Sequence, residues 1–393
     1  MFKRWMPLDK QKSALILGPR RAGKTTLVRA LFPDRSYVTL DDLDHLDWAG
    51  QDPKGFIESL GDKAVIDEIQ RAPKLTIAVK YAIDNMDRRF IMTGSSSLGL
   101  LDAAADTLAG RISIYSLPTA CWGESVQPPT HHVLEDTLDF PTIRNANRLL
   151  EDALAYGQFP EVLMQSQSEA KKTLLKNYRD TYFTRDLMQL SNIENLEGLL
   201  GIFHNLARSI GSHLEVSNFA REAGLSHITT KKYLNCLHQS QLTFRLYGFQ
   251  YGPAKKYIKA AKTYFADNGI IESLNVRMNT GQLLENFVIA EFEKRRKIGM
   301  IETDHLFYYK SSAGREIDLV FETDGVIQAI EIKSTQFPGK RDIRNLIHFR
   351  EHTKRPVKTY LFYLGKEYHN MNDVTVIPVA ALFQGTIKGL KNA

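Results

Sequence analysis

Apolar and polar positions along this chain follow two periods, and the switches between them outline its elements. Short continuous apolar runs at Ala14-Leu-Ile-Leu17 and Ala64-Val-Ile66 predict buried strands, and Arg89-Phe-Ile-Met92 reads as a third strand. Ile112-Ser-Ile-Tyr115 predicts a further strand, and Thr25-Thr-Leu-Val-Arg-Ala-Leu31 reads as a helix after the first. From about residue 145 to 210 the spacing turns helical, through Leu149, Leu150 and Leu154, then Leu174, Leu175, Tyr178 and Tyr182. Between Val216 and Leu237 two short amphipathic helices are expected, with Ser217 and Ser226 as caps and Gly224 at the turn between them. Their apolar seam is Phe219, Ala220, Ala223, Leu225, Tyr233, Leu234 and Leu237, and Leu242–Tyr247 is expected to follow as a strand. In Gly314–Lys333 strict alternation flanks Asp324-Gly325, a dipeptide that favours a two-residue type I′ hairpin turn. That turn pairs Asp318 with Glu331 and Glu316 with Lys333 on one face, leaving Ile317, Leu319, Ile330 and Ile332 on the other.

A chain of 393 residues is too long for one ordinary core. The pattern predicts an α/β multidomain protein. Its expected parts are a parallel-sheet domain at 1–130, a helical lid or connector at 131–205, a winged helix-turn-helix at 206–255 and a further α/β domain at 256–393. With 24% charged and 43% hydrophobic residues the composition is that of a globular protein, and a formal charge of +6 permits a polyanionic partner without demanding one. The two cysteines, Cys121 and Cys236, lack metal-ligand spacing and read as buried thiols of a reduced, cytoplasmic protein. No apolar run reaches the length of a membrane span, and the N-terminus lacks a signal-peptide apolar region, so no membrane partner is expected.

Candidate chemistry begins at Gly18-Pro19-Arg20-Arg21-Ala22-Gly23-Lys24-Thr25-Thr26, which fits G-x-x-x-x-G-K-[ST] at every defined position, between a strand and a helix. The glycines let the backbone curl, so that the amides from Arg20 to Lys24 face phosphate oxygens at the positive end of a helix. Lys24 would reach the β- and γ-phosphates of ATP and the Thr25 hydroxyl would bind Mg²⁺; the plain alternative is a glycine turn. At the carboxyl end of the 64–66 strand, Asp67 would hold Mg²⁺ and Glu68 would orient the attacking water, as ligands bind beyond the carboxyl ends of such strands. A solvated Asp-Glu loop is the alternative. The hydroxyls of Thr93-Gly-Ser-Ser-Ser97 would sense the γ-phosphate or simply make a turn. Arg111, just before a strand, would serve a neighbouring subunit's nucleotide as an arginine finger in a homo-oligomer, or be a surface arginine.

Ile16–Glu124 resembles a group of prokaryotic AAA-type ATPases. The resemblance rests on GPRRAGKTTL (18–27), YVTLDD (37–42), DPKGFI (52–57), VIDEIQRAPKL (65–75), MTGSSS (92–97), LAGR (108–111) and SLP…GE (116–124). In that group a C-terminal domain of unknown function follows the ATPase core. GQFPEV (157–162), YFTRDL (182–187), YFADNGI (264–270) and GQLLENFV (281–288) resemble that domain. The resemblance implies the roles given above for Lys24, Thr25, Asp67 and Glu68, and strengthens Arg111 as a finger. Arg21 and Ala22 stand where Gln and Val are expected, and Gln158 where Gly is expected.

Two further segments point to DNA. The second helix of the 216–237 pair is expected to expose His227, Thr229, Thr230, Lys231, Lys232 and Asn235, a face suited to groove reading with Lys231 and Lys232 on phosphates. Use of this module for packing or protein contacts is the alternative. In the earlier helices, Arg185 would contact the nucleotide or pair with Asp186. In the hairpin, Asp318 followed by Glu331-x-Lys333 is similar to the PD-(D/E)xK nuclease pattern, in which two acids bind Mg²⁺ and a lysine stabilises charge or activates water. Glu285 shares a helix face with Val288, Ile289 and Phe292 and would complete the set. The alternative is a solvated hairpin face with a Glu316–Lys333 pair. The resemblances thus imply a P-loop NTPase parallel sheet of AAA-like type at 1–130 and a restriction-endonuclease-like α/β domain at 256–393, and the sequence predicts a Mg²⁺-dependent ATPase acting on DNA. The rival reading is a nucleotide-switched protein-interaction module with an inactive nuclease-like domain.

Overall fold

The computed structural model describes residues 2–95, 107–181, 187, 193, 195–249 and 261–387. Ser96, Ser97 and Arg185 lie outside them. The chain divides into two compact units, one formed by Met6–Thr119 with Gln239–Gln241, the other by Met1–Trp5, Ala120–His238 and Leu242–Ala393.

The first unit is a five-stranded parallel sheet. Its strands are β1 (Ser13–Gly18), β2 (Ser36–Thr39), β3 (Lys63–Asp67), β4 (Arg89–Ser95) and β5 (Ile112–Ser116), in spatial order β2-β3-β4-β1-β5. All six residues of β1 are buried, as an apolar run covered on both faces requires. Leu15 and Leu17 join Ile66, Phe90, Met92, Leu75 and Val79 in one core, beneath helices α2 (Leu43–Gln51), α3 (Pro53–Ser59) and α4 (Leu75–Met86), while helix α1 (Lys24–Leu31) follows β1 and adds no residue to that core. Asp42 caps α2 and Asp52 caps α3, each through a carboxylate that accepts from first-turn amides. The sheet order sets β1 and β3 either side of β4, so their carboxyl ends open at one edge of the sheet.

The second unit begins with helices α5 (Phe140–Tyr156), α6 (Pro160–Leu163) and α7 (Ser168–Tyr178). Gly157, at φ 68°, makes the turn after α5, so Gln158 needs no special conformation; its amide donates to Asp267. Next come α8 (Leu196–Arg208), α9 (Val216–Glu222) and α10 (His227–Gln239), then the antiparallel pair β7 (Thr243–Gly248) and β8 (Lys262–Phe265). A two-residue strand β6 (His131–His132) pairs with β15 (Gly385–Thr386). Gly224 adopts φ 63° and the Ser226 hydroxyl accepts from the Thr229 amide, as expected of a turn and a cap. Ser217 does not cap: the helix starts one residue earlier, with Glu215 at the N-cap and no side-chain cap bond.

After α11 (Asn268–Ser273) and α12 (Thr280–Lys297), β9 (Phe307–Lys310), β10 (Glu316–Thr323) and β11 (Val326–Lys333) run antiparallel to one another. Helix α13 (Arg344–His352) leads to β12 (Val357–Tyr363), parallel to β11. With β13 (His369–Met371), β14 (Val374–Pro378), β7 and β8 they form one eight-stranded sheet, ordered β13-β14-β12-β11-β10-β9-β7-β8. Asp324 and Gly325 both have positive φ, 51° and 75°, the type I′ signature, and Thr323 pairs with Val326. The expected single buried face is corrected: Leu319, Ile330 and Ile332 join one core, while Ile317 joins the core on the other side of the sheet with Val320, Ile327 and Ala329. A bulge between Ile317 and Val320 breaks the alternation, and the sheet is covered on both faces. Cys121 and Cys236 are buried free thiols, and no helix among the described residues is long and apolar enough to cross a membrane.

Candidate functional site

The loop after β1 is shaped by two left-handed residues, Arg21 at φ 63° and Gly23 at φ 88°. Gly18 is required for another reason. A Cβ there would lie 2.1 Å from the Leu117 carbonyl oxygen, and Leu117 is itself tied to Leu17 by a 2.7 Å backbone bond. Gly18→Ala is expected to destabilise the protein by more than about 2 kcal/mol, read as a lowered denaturation midpoint in urea. An unchanged midpoint would refute the close approach.

Lys24 is buried, and its Nζ donates to the Gly18 and Pro19 carbonyls, each at 3.0 Å. Burial pulls its pKa down to about 8, against the opposing pull of Glu68 and Asp67. The Thr25 hydroxyl donates to Asp67 Oδ2 at 2.8 Å, joining the start of α1 to the end of β3. Asp67 also accepts from the Tyr37 hydroxyl at 2.6 Å and from the Thr93 hydroxyl. Burial and the Asp67 carboxylate push the Tyr37 phenol up to about 12, and the Arg29 guanidinium covers its ring at 4.0 Å. Glu68 has φ 60° at the strand end and accepts from Gln70 Nε2, which also donates to Ser95 Oγ at 2.8 Å. Gln70 thereby links the end of β4 to Glu68. Sequence reading missed Tyr37 and Gln70, although both lie in the segments YVTLDD and VIDEIQ.

Arg111 stands before β5, whose first residue pairs with Ser13, so it lies at the amino end of the sheet. That is one strand length from Gly18, about 16 Å at the usual rise. Its Nε donates to Asp84 at 2.6 Å. On α10, Lys231, Lys232, His227 and Asn235 are exposed and Thr229 is partly so, but Thr230 is fully buried. The expected Thr230 contact is therefore corrected: its hydroxyl turns inward to the Ser226 carbonyl at 2.9 Å. Asn235 accepts from Arg245 of β7 at 2.8 Å.

In the large sheet, Glu285 of α12, Asp318 of β10 and Glu331 of β11 gather within mutual electrostatic reach. Helix α12 is held by a buried ionic group, Lys294 reaching Asp267 at 2.9 Å and Glu291 at 3.1 Å, with Arg295 on Glu291. Such a group fixes position more than it adds stability. Burial and the neighbouring Asp318 charge raise Glu285 to about 7 and Glu331 to about 8, and burial raises Asp318 as well. Asp318 accepts from the Ile332 amide at 2.8 Å. Lys333 Nζ sits 2.6 Å from Glu331 Oε1, while Glu331 Oε2 is buried with no hydrogen-bond partner among the described residues. The expected Glu316–Lys333 pair does not form. Glu316 bonds Lys262 of β8 and lies 3.5 Å from Lys310, because the bulge turns it toward the β7–β9 side. Glu285 accepts from the Tyr264 hydroxyl at 2.8 Å. Sequence reading missed Lys262 and Tyr264, both on β8, although Tyr264 opens the segment YFADNGI, since nothing local announces that β8 joins this sheet. Among the described residues no three His, Cys, Asp or Glu side chains stand in a metal-holding geometry, so the acids are neighbours rather than a formed ligand set.

Three family models match parts of the chain. Residues 10–126 match one described as AAA domain, residues 147–281 a domain of unknown function (DUF8612), and residues 280–382 a domain of unknown function (DUF4143). The chain is 25% identical over 354 residues to an uncharacterized protein of Mycobacterium tuberculosis, covering 86% of this chain and 74% of that protein. It is 27% identical over 335 residues to an uncharacterized protein of Methanocaldococcus jannaschii, covering 77% and 70%. A solved STAND (Signal Transduction ATPase with Numerous Domains) protein with a tetratricopeptide repeat sensor from Pyrococcus horikoshii aligns at 12% identity and a TM-score of 0.19. That alignment covers 75% of this chain and 46% of that one. Protein VC1899 from Vibrio cholerae aligns at 10% identity and a TM-score of 0.23, covering 94% and 95%. Scores this low carry nothing about fold or function. The AAA domain match and the parallel sheet with its loop support a nucleotide-binding ATPase of AAA type in the first unit.

Proposed function

We propose that this chain is a Mg²⁺-dependent ATPase of AAA type whose hydrolysis drives DNA binding or cleavage by its C-terminal part. The observation that carries the ATPase half is the meeting of Thr25 and Asp67 at 2.8 Å, next in sequence to the buried Lys24. A hydroxyl and a carboxylate converging at the carboxyl edge of a parallel sheet fit a hard cation with oxygen ligands. Thr25 and Asp67 would hold the Mg²⁺, which neutralises phosphate charge when bound. Lys24 would trade its two carbonyl partners for phosphate oxygens. The loop amides from Arg20 to Lys24 would take the remaining phosphate oxygens, and Glu68, steadied by Gln70, would orient water. ATP turnover by wild type against Lys24→Ala tests this. Arg111, too far from its own loop, would act on a neighbour's ATP. Arg111→Ala is expected to leave ATP binding intact while turnover falls about 10³-fold. Wild-type turnover per chain should rise with protein concentration, and a concentration-independent rate would remove the finger.

For the C-terminal part, an acid-bearing helix, three antiparallel strands, a helix and a parallel strand support the restriction-endonuclease-like reading of 256–393. The unpartnered Glu331 oxygen among three acids supports a divalent cation there, held by Glu285, Asp318 and Glu331 beside Lys333. Lys231 and Lys232 would meet DNA phosphates, with Thr229 on the groove-reading face. The rival, a nucleotide-switched interaction protein, draws on the acids not forming a ligand set and on Lys333 being held by Glu331. Mn²⁺-dependent DNA cleavage lost in Asp318→Ala separates the two.

A further inference from the structure

The segment joining β11 to α13 presents a phenylalanine to solvent. Phe337 is 88% exposed. Single exposed apolar residues are ordinary, but three features set this one apart. Its backbone is pinned: the Phe337 amide donates to Thr335 Oγ1 at 3.1 Å, and the Leu364 amide to the Thr335 carbonyl at 3.0 Å. The Gly339 amide donates to Asp342 at 2.7 Å. The chain after it is cationic: Lys340, Arg341 and Arg344 are exposed. The nearby acid, Asp342, is engaged by Gly339 and lies close enough to Lys333 to stabilise that charge. The third feature is position. Phe337 follows Lys333 by four residues, and Asn345, at the start of α13, donates to the Glu316 carbonyl at 3.0 Å.

We propose that Phe337 is a stacking platform for an unpaired DNA base, with Lys340, Arg341 and Arg344 on the flanking phosphates. The proposal rests on the DNA-acting reading of the Glu285, Asp318 and Glu331 cluster and specifies its substrate as strand with splayed or single-stranded bases. A base inside a duplex has both faces covered by its neighbours, so a protruding ring has nothing to stack on there. Next to it Pro338 is half-buried, while Gln336, Gly339, Lys340 and Arg341 are exposed and bring positive charge without an acid among them, which suits a polyanion. An exposed aromatic face followed by a run of cations has the parts that hold single strands, by stacking and by backbone charge.

The test is binding of a fluorescein-labelled single strand of about 16 nucleotides, and of the same sequence as duplex, by the full chain in EDTA, so that nothing is cut. Phe337→Ala is expected to weaken single-strand binding on the order of tenfold and duplex binding far less, with Phe337→Tyr restoring it. Replacing Lys340, Arg341 and Arg344 by alanine should flatten the slope of log affinity against log salt by about 2. A 2-aminopurine base in the strand should change its fluorescence with wild type and not with Phe337→Ala. Wild-type affinity in Phe337→Ala overturns the platform and leaves the DNA reading standing. An unchanged salt slope overturns the phosphate contacts. No binding of either DNA by wild type overturns both the platform and the DNA reading.

Discussion

ATP turnover is expected to fall at least a hundredfold in Lys24→Ala, the loss usual when one preorganised charge is removed from a developing oxyanion. The size follows from where the ammonium sits. Lys24 is buried, and its ammonium donates to the carbonyls of Gly18 and Pro19. An ammonium in a site of low polarity interacts far more strongly with a phosphate than one in water. Its lowered pKa of about 8 adds a pH signature. Below that value the group is charged and ready for an anion; above it, the nucleotide-free protein must first take up a proton. ATP affinity should therefore hold up to about pH 8 and decline beyond it. Titration calorimetry across pH 6.5 to about 9.5, in two buffers of different ionisation heat, reads both the affinity and the proton uptake. Glu68→Gln should keep affinity and lose turnover by about 10²–10⁴, since only orientation and polarisation of water are removed. Hydrolysis at the wild-type rate in Lys24→Ala would end the ATPase assignment.

The second expected result concerns the acids of the large sheet. Mn²⁺ at a hundredfold excess over its Kd should raise the thermal midpoint of the C-terminal transition by about 5–10 °C in wild type. It should do far less in Glu331→Gln or Asp318→Asn. The sign of the pH dependence is set by the raised pKa values. Glu285 near 7 and Glu331 near 8 stay protonated in the folded chain where the unfolded chain, near 4.5, has released its protons. Their contribution is fully present below about 4.5 and is lost as pH rises through 7 to 8. The metal-free protein should therefore melt lower as pH rises from about 5 to 8, and the gain from Mn²⁺ should widen over the same range. In Glu331→Gln the pH slope should flatten, because an acid whose pKa is raised to about 8 is gone. Equal Mn²⁺ shifts in wild type and Glu331→Gln would remove the cation from this site. A clear Mn²⁺ shift without DNA cleavage would favour the rival, an interaction protein that keeps the ligands and has lost the reaction.

Local features of this chain were legible from its residues. The apolar runs became buried parallel strands because nothing in them tolerates water. Asp324-Gly325 set the hairpin because both residues accept positive φ, and that turn alone determines which residues of β10 and β11 face one another. Gly224 and Ser226 marked their turn and cap for similar reasons. Each of these depends on residues within a few positions of one another, where torsion preferences and side-chain reach decide the outcome.

What the residues did not announce was partnership between distant segments. Asp67 meets Tyr37 and Thr93 across neighbouring strands. Glu316 meets Lys262 instead of Lys333 because β8 and β7 extend the sheet beyond β9 and a bulge re-aims the side chain. Ile317 packs on the other side of the sheet from Leu319 for the same reason, and Thr230 turns inward because a hydroxyl in a helix can bond the carbonyl four residues back. Short-range rules assign a residue its strand, its turn or its cap. Which charge it neutralises, and whether it faces water at all, depends on strand order and helix packing, which bring together residues that no local period relates.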